Sequence, residues 1–95
     1  MTDDRQALTA ELYSHLKATA ERPVDRDASR WIGEAEAIAG DIAGADVSPD
    51  VIGERIGHVD RLLSEIDTTG DPAADEHVDE AKRLVGEIHE ALDDG

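Results

Sequence analysis

The second half of the chain alternates apolar and polar positions in steps of three and four residues. Two such series occur between residues 48 and 94, separated by the short segment 68–71. The first series is Ile52, Ile56, Val59, Leu63 and Ile66, and the second is Ala74, Val78, Ala81, Val85, Ile88 and Leu92. Because 3.6 residues make one helical turn, this spacing places each series on one face of a helix. The short linker predicts that the two helices pack antiparallel, apolar face against apolar face.

Capping signals mark where these two helices begin. Ser48 precedes Pro49, and Asp71 precedes Pro72. A short polar residue at the cap followed by proline at the first helical position is typical of a helix N-terminus. We therefore predict helix three from Ser48 to about Asp67, and helix four from Asp71 to the last residues. Within helix four we expect Asp79 to pair with Arg83, one turn later.

The first half of the chain predicts two further helices. Helix one should run from about Asp3 to Ala20, with Thr2 as its N-cap, and should end before Pro23. Its apolar face is thin and consists of Leu8, Leu12 and Leu16, widened by Thr19 and Ala20. We therefore expect helix one to be the most weakly held of the four, or to pack in an unexpected place.

Helix two should begin near Asp25 or Asp27 and continue to about Ala43. Its predicted apolar seam is Ala28, Trp31, Ala35, Ile38 and Ile42, with Ile32 and Ala39 on the flank. Trp31 is the one large aromatic residue that this seam offers to a core. Four helices with short connections predict an all-α, antiparallel up-down-up-down four-helix bundle, formed as a single domain over residues 1–95. The alternative is a three-helix core in which helix one is exchanged between the subunits of a dimer.

Small residues recur on the side of helix two that faces away from its seam. They are Gly33, Ala37, Gly40 and Gly44. Glycine costs about 1 kcal/mol relative to alanine inside a helix, so a row of glycines on one face calls for a reason. One interpretation is that the row packs against a partner helix, most simply a second copy of this chain in a homodimer. The other is that glycine and alanine are simply frequent in this composition.

Acidic residues dominate the charge of the chain, with 24 Asp and Glu against 9 Lys and Arg, for a formal net charge of −15. Such a surface repels nucleic acid and anionic membranes, so neither is expected as a partner. Arginine outnumbers lysine, Asp outnumbers Glu and aromatic residues are few. In these respects the chain resembles small, acidic, uncharacterised helical proteins of haloarchaea. That resemblance implies a cytoplasm rich in potassium, but it brings no functional motif.

Candidate chemistry is sparse. The chain has no cysteine, no basic and apolar leader, and no apolar run long enough to cross a bilayer, which favours a cytoplasmic location. His77 lies nearest to an apolar stripe, but no histidine follows an acidic residue by three positions, as di-metal bundles require. The Glu-x-x-Asp and Glu-x-x-Glu pairs that begin at Glu76 and Glu87 resemble motifs of helical nucleotide pyrophosphohydrolases, yet they share one helix.

Basic residues form one short row, Arg22, Arg26 and Arg30, which we interpret as internal ion pairs rather than an anion clamp. We therefore predict no catalytic residue, no metal site and no cofactor. The favoured function is a non-enzymatic, helical protein–protein interaction or scaffold domain of a halophilic cytoplasm. One alternative is an acidic mimic that binds the basic surfaces of nucleic-acid-binding proteins. The other is a metal-dependent nucleotide hydrolase.

Overall fold

The computed structural model describes residues 4–43 and 47–93, and over these residues the chain forms four α-helices and no strand. They are α1 (Asp4–Ala20), α2 (Arg26–Ala43), α3 (Pro49–Ser64) and α4 (Pro72–Asp93). The predicted all-α class with four helices is confirmed. The predicted N-cap Thr2 and the predicted interface residue Gly44 lie outside the described residues. Within the described ranges, none of the helices combines the length and apolarity that a membrane span requires.

The four helices pack as a closed ring around one core. α1 packs against α2 and α4, and α3 packs against the same two helices. In the described part of the chain, no Cα atom of α1 lies within 8 Å of one in α3, and none of α2 within 8 Å of one in α4, so these pairs lie on the diagonals. The molecule measures 37 × 22 × 18 Å, which fits a bundle of helices lying side by side. Within this one chain, α1 occupies the position that the three-helix alternative would give to a partner's helix.

The apolar stripes predicted for α3 and α4 form one half of the core. Every predicted stripe residue is buried except Leu92, which is partly buried against the core. Leu62 and Leu84 are also buried and widen the two stripes. The stripes meet each other and the inner faces of α1 and α2, so the 3.6-residue periodicity alone specified this half of the bundle.

The predicted caps of α3 and α4 are confirmed, whereas the predicted end of α3 is not. The Ser48 hydroxyl accepts a hydrogen bond from the Val51 N–H at 3.4 Å, and Asp71 Oδ2 accepts one from the Ala74 N–H at 3.0 Å. α3 ends at Ser64 instead of about Asp67. The next two N–H groups bond to carbonyls three residues earlier, at 3.2 and 3.1 Å, and this tighter turn ends the α-helix.

The buried face of α2 is rotated from the predicted seam. Ile32 and Ala39 are completely buried, whereas Trp31 and Ile38 are only partly buried. The reason is that α2 must face both α1 and α3, which centres its buried arc on the residues predicted as a flank. The prediction of Trp31 as the core anchor is therefore wrong. Its ring lies at the edge of the core, with the Arg30 guanidinium carbon 5.4 Å from the ring centroid.

α1 buries threonine where the other helices bury aliphatic residues. Leu12 and Leu16 are fully buried, and so are Thr9 and Thr19. Each threonine hydroxyl donates to a carbonyl oxygen of the preceding turn, at 3.0 and 2.6 Å, so neither is left unpaired. Ala20 is exposed, so it does not widen the apolar face as predicted. α1 also packs through residues at the edges of its contacts: Tyr13 lies against α2 and His15 lies against α4.

Candidate functional site

The first candidate site is an open groove between α1 and α2, with a volume of about 440 Å³. We call it the α1–α2 groove. Its lining consists of Tyr13, Gly33, Glu36, Ala37, Gly40 and Asp41. One aromatic ring from α1 therefore faces a row of small and acidic residues from α2. The small residues leave the α2 backbone accessible to a partner, and the carboxylates of Glu36 and Asp41 stand at the rim of the groove.

The structure divides the predicted glycine row into two parts. A Cβ atom added to Gly40 would lie 3.1 Å from Tyr13 Cε1, so the missing side chain at Gly40 lets α1 pack closely against α2. A Cβ atom added to Gly33 would meet no atom within 4 Å, and Ala37 is exposed. Gly40 therefore has a role inside the chain, while Gly33 and Ala37 leave open space above the α2 backbone.

The loop before α2 and the loop before α4 meet at one end of the bundle, and we call this contact the loop junction. Arg22 Nε lies 2.9 Å from Asp71 Oδ2, and Arg22 Nη2 lies 3.3 Å from Asp71 Oδ1. This two-point contact, together with the N–H of Ala74, lowers the pKa of Asp71. The predicted internal ion pair is therefore confirmed for Arg22, the first residue of the predicted basic row.

Thr69 is the centre of the loop junction and is completely buried. Its N–H and its hydroxyl donate to Asp75 Oδ1 at 2.7 and 2.8 Å, and its carbonyl accepts from the Asp25 N–H at 2.7 Å. The hydrogen bonds from Thr69 lower the pKa of Asp75. Gly70 follows with φ of 84°, and a Cβ atom there would lie 2.8 Å from an Asp25 carboxylate oxygen. These contacts hold the two loops in one arrangement, which is a structural role.

Glu80 and Glu87 form ion pairs along the surface of α4, and the acidic residues that the structure describes on this helix do not gather into a metal cage. Arg83 pairs with Glu80 at 2.7 Å and with Glu87 at 2.9 Å, so the predicted pairing with Asp79 is wrong. The longer Glu side chains reach the guanidinium three residues before and four residues after it. The hydrogen bond from Arg83 lowers the pKa of Glu80. The remaining acids of the two hydrolase-like pairs, Glu76, Asp79 and Glu90, are exposed.

A contact that the sequence did not reveal joins α1 to α4. His15 Nδ1 lies 3.0 Å from His77 Nδ1, and both side chains are half-buried. The ring centroids are 5.3 Å apart and the ring planes are inclined by 48°. Both histidines stand at the edge of an apolar stripe, His15 beside Leu16 and His77 beside Val78. This edge position is the one feature of the sequence that could have indicated the contact, because edge residues of neighbouring helices meet when a bundle closes.

The histidine contact has the geometry of a hydrogen bond. The centroid separation exceeds the nitrogen separation by about the two centre-to-nitrogen distances of the rings, so the two Nδ1 atoms lie on the line between the ring centres. Their lone-pair directions therefore point at each other and do not converge on a common third position. Among the described residues, no group of three or more His, Asp or Glu side chains is arranged to hold a metal ion.

The fold and surfaces define a small, all-α bundle domain with an open groove and a loop junction closed by hydrogen bonds. The chain belongs to the DUF8152 family, a domain of unknown function whose family model matches residues 8–95. Neither the curated proteins nor the solved structures include one that matches this chain. The match begins within α1 and includes the other three helices.

Proposed function

We propose that this protein is a non-enzymatic helical interaction domain that acts as a homodimer through the α1–α2 groove. The observation that carries the proposal is the open space above Gly33 and Ala37, next to the ring of Tyr13. Small residues on a helix surface let a second helix approach its backbone closely, and an aromatic side chain supplies contact area at the edge. A second copy fits this description because the same face then serves both partners across a two-fold axis.

Charge sets the conditions under which two copies associate. Each copy carries a formal net charge of −15, and Glu36 and Asp41 stand at the rim of the groove. Repulsion between two such surfaces acts over a Debye length of about 10 Å at 0.1 M salt and about 3 Å at 1 M. A dimer of this chain is therefore favoured by concentrated salt, which agrees with the proposal of a halophilic cytoplasm.

The dimer proposal is tested with Gly33→Leu, and Gly86→Leu is the matched control. Both glycines are exposed helical positions where an added Cβ meets nothing within 4 Å, but Gly86 is on α4, away from the groove. We expect wild type and Gly86→Leu to have the mass of a dimer by light scattering in about 3 M KCl. Gly33→Leu should have the mass of a monomer with unchanged helicity by circular dichroism.

Two results would overturn the dimer proposal. A monomeric wild type in concentrated KCl would leave the groove without a second copy. An unchanged dimer mass for Gly33→Leu would place the interface elsewhere. Gly40→Leu is a poorer test, because the new side chain would collide with Tyr13 inside the same chain.

The halophilic setting has its own test, which concerns folding and not association. Screening reduces the self-repulsion of the excess negative charge, so the melting temperature should rise steadily between about 0.1 and 3 M KCl. Measurements on monomeric Gly33→Leu would separate this effect from dimer formation. A melting temperature that does not change over this range would contradict adaptation to concentrated salt.

A further inference from the structure

We propose that His15 and His77 form a pH-sensitive clasp between α1 and α4, which holds while the pair carries at most one positive charge and opens when both imidazoles are protonated. The proposal concerns the contact on the α4 side of α1. It does not depend on the α1–α2 groove, which lies on the other side of the same helix.

Geometry is the first support for the clasp. The two Nδ1 atoms face each other at 3.0 Å along the line of the ring centres, as in an N–H···N hydrogen bond. Such a bond needs one protonated nitrogen and one bare nitrogen. The two histidines therefore adopt different protonation patterns at Nδ1, although they are the same residue type.

The number of protons on the two imidazoles decides whether the hydrogen bond can form. When both rings are neutral, one ring is protonated at Nδ1 and the other at Nε2, and the bond is made. When the pair takes up one proton, the donor ring becomes a cation and still donates to the bare Nδ1 of its neighbour. When a second proton is added, both Nδ1 atoms carry hydrogen, so two N–H groups and two positive charges face each other. The clasp then has to open.

Charged side chains lie around the clasp on both flanks of α1. Glu11 lies one turn before His15 on α1, and Glu80 of α4 is close enough for the two charges of Glu80 and His15 to attract. Arg83 pairs with the same Glu80 and with Glu87, and these ion pairs offset its positive charge. On the α2 side of α1, Glu36 lines the groove with Tyr13 and faces the opposite flank of the helix. The acids balance one imidazolium but do not remove the conflict between two facing N–H groups.

The clasp matters for the fold because α1 has few aliphatic contacts. Imidazole ordinarily takes up its proton near pH 6.5. The geometry of the closed clasp leaves room for one added proton, whereas two separated imidazoles accept two, so in acid the unfolded chain binds more protons at these positions than the closed pair does. Since stability falls with decreasing pH wherever the folded state binds fewer protons, acidification favours the displacement of α1 from α4.

Nuclear magnetic resonance tests the hydrogen bond without any substitution. In full-length protein at about pH 7.5 and in about 3 M KCl, one of the two rings should be protonated at Nδ1 and the other at Nε2. The exposed His58 serves as an internal reference in the same spectra. The clasp does not exist if both His15 and His77 carry their proton on Nε2. It also does not exist if both rings become imidazolium in acid while the fold stays unchanged.

Unfolding experiments test the switch. Between about pH 6 and pH 5, the folding equilibrium constant of wild type and of the control His58→Gln should fall by up to tenfold per pH unit. In His15→Gln and in His77→Gln the conflict between two protons is removed, so this fall should disappear. An identical pH profile for wild type and both single variants would overturn the proposal, as would a fall that His58→Gln abolishes.

Discussion

α1 and α4 lie side by side in the same bundle, yet different features hold them there. α4 buries an almost continuous aliphatic stripe from Ala74 to Ile88, and its first residues are fixed by the loop junction. α1 buries two leucines and two threonines, and adds contacts at both edges: Tyr13 against α2 and His15 against α4. A helix with a weak apolar pattern can therefore complete a core when both of its flanks are occupied.

The largest expected effect tests whether the two helices contribute equally to the core. Leu16 of α1 and Leu84 of α4 are both buried, at 0% and 1% exposure. We expect Leu16→Ala and Leu84→Ala each to lower the free energy of unfolding by about 3 kcal/mol, because each leaves a cavity. Chemical denaturation measures both. A loss below about 1 kcal/mol for Leu16→Ala alone would support the prediction that α1 is the most weakly held of the four helices.

Two fully buried threonines provide the second contrast. The hydroxyl of Thr69 donates to Asp75 and accepts from the Asp71 N–H at 3.2 Å, whereas that of Thr19 donates to the His15 carbonyl of its own helix and, among the described residues, to nothing else. Thr69→Val should cost about 1 to 2 kcal/mol, because it removes partners from polar groups at the loop junction. Thr19→Val should change stability by less than about 0.5 kcal/mol, since the His15 carbonyl that accepts from the Thr19 hydroxyl still accepts a backbone hydrogen bond of the helix. Equal losses would show that the junction has no special importance.

Acid acts on the loop junction in a direction that the pKa values set. Hydrogen bonds lower the pKa of both Asp71 and Asp75, so their contribution to stability is present above the ordinary carboxyl value of about 4. That contribution is lost as the pH falls through this value towards the lower folded-state values. We expect the free energy of unfolding of Asp75→Asn, measured by chemical denaturation, to fall less steeply than that of wild type as the pH is lowered through this range. An unchanged pH dependence would contradict the assignment.

The smallest expected effects distinguish the two kinds of glycine on α2. Gly33→Ala should raise the free energy of unfolding by about 0.5 to 1 kcal/mol, because alanine favours the helix and the site is open. Gly40→Ala brings a methyl group within 3.1 Å of the Tyr13 ring, so its gain should be smaller or negative. Equal gains at both positions, measured by thermal unfolding, would show that Tyr13 does not pack tightly against α2.

The sequence predicted the half of the bundle in which periodicity and capping agree. The stripes of α3 and α4 and the caps Ser48 and Asp71 all follow from local rules, because a residue's face on a helix depends only on its position in the turn. The rotation of α2 could not be predicted, since Trp31 and Ile32 both fit an apolar stripe. Which of the two is buried depends on where the neighbouring helices lie.

The sites were less predictable than the fold. The row from Gly33 to Gly40 was visible as a pattern, but the close approach of Tyr13 that divides it depends on a second helix. His15 and His77 are 62 residues apart in sequence, and their contact exists only because α1 and α4 close the ring. Single-sequence patterns report the face of a residue on its own helix and carry no direct information about the partner across an interface.

The closed ring of helices also constrains the order in which the bundle assembles during translation. Consecutive helices can pair in the order in which they leave the ribosome, first α1 with α2, then α2 with α3 and α3 with α4, because short connections keep them close. The seam between α1 and α4 joins the first helix of the ring to the last one synthesised. α1 is thus made first but gains its second neighbour only when α4 is complete, and until then the side of α1 that faces α4 stays exposed to water.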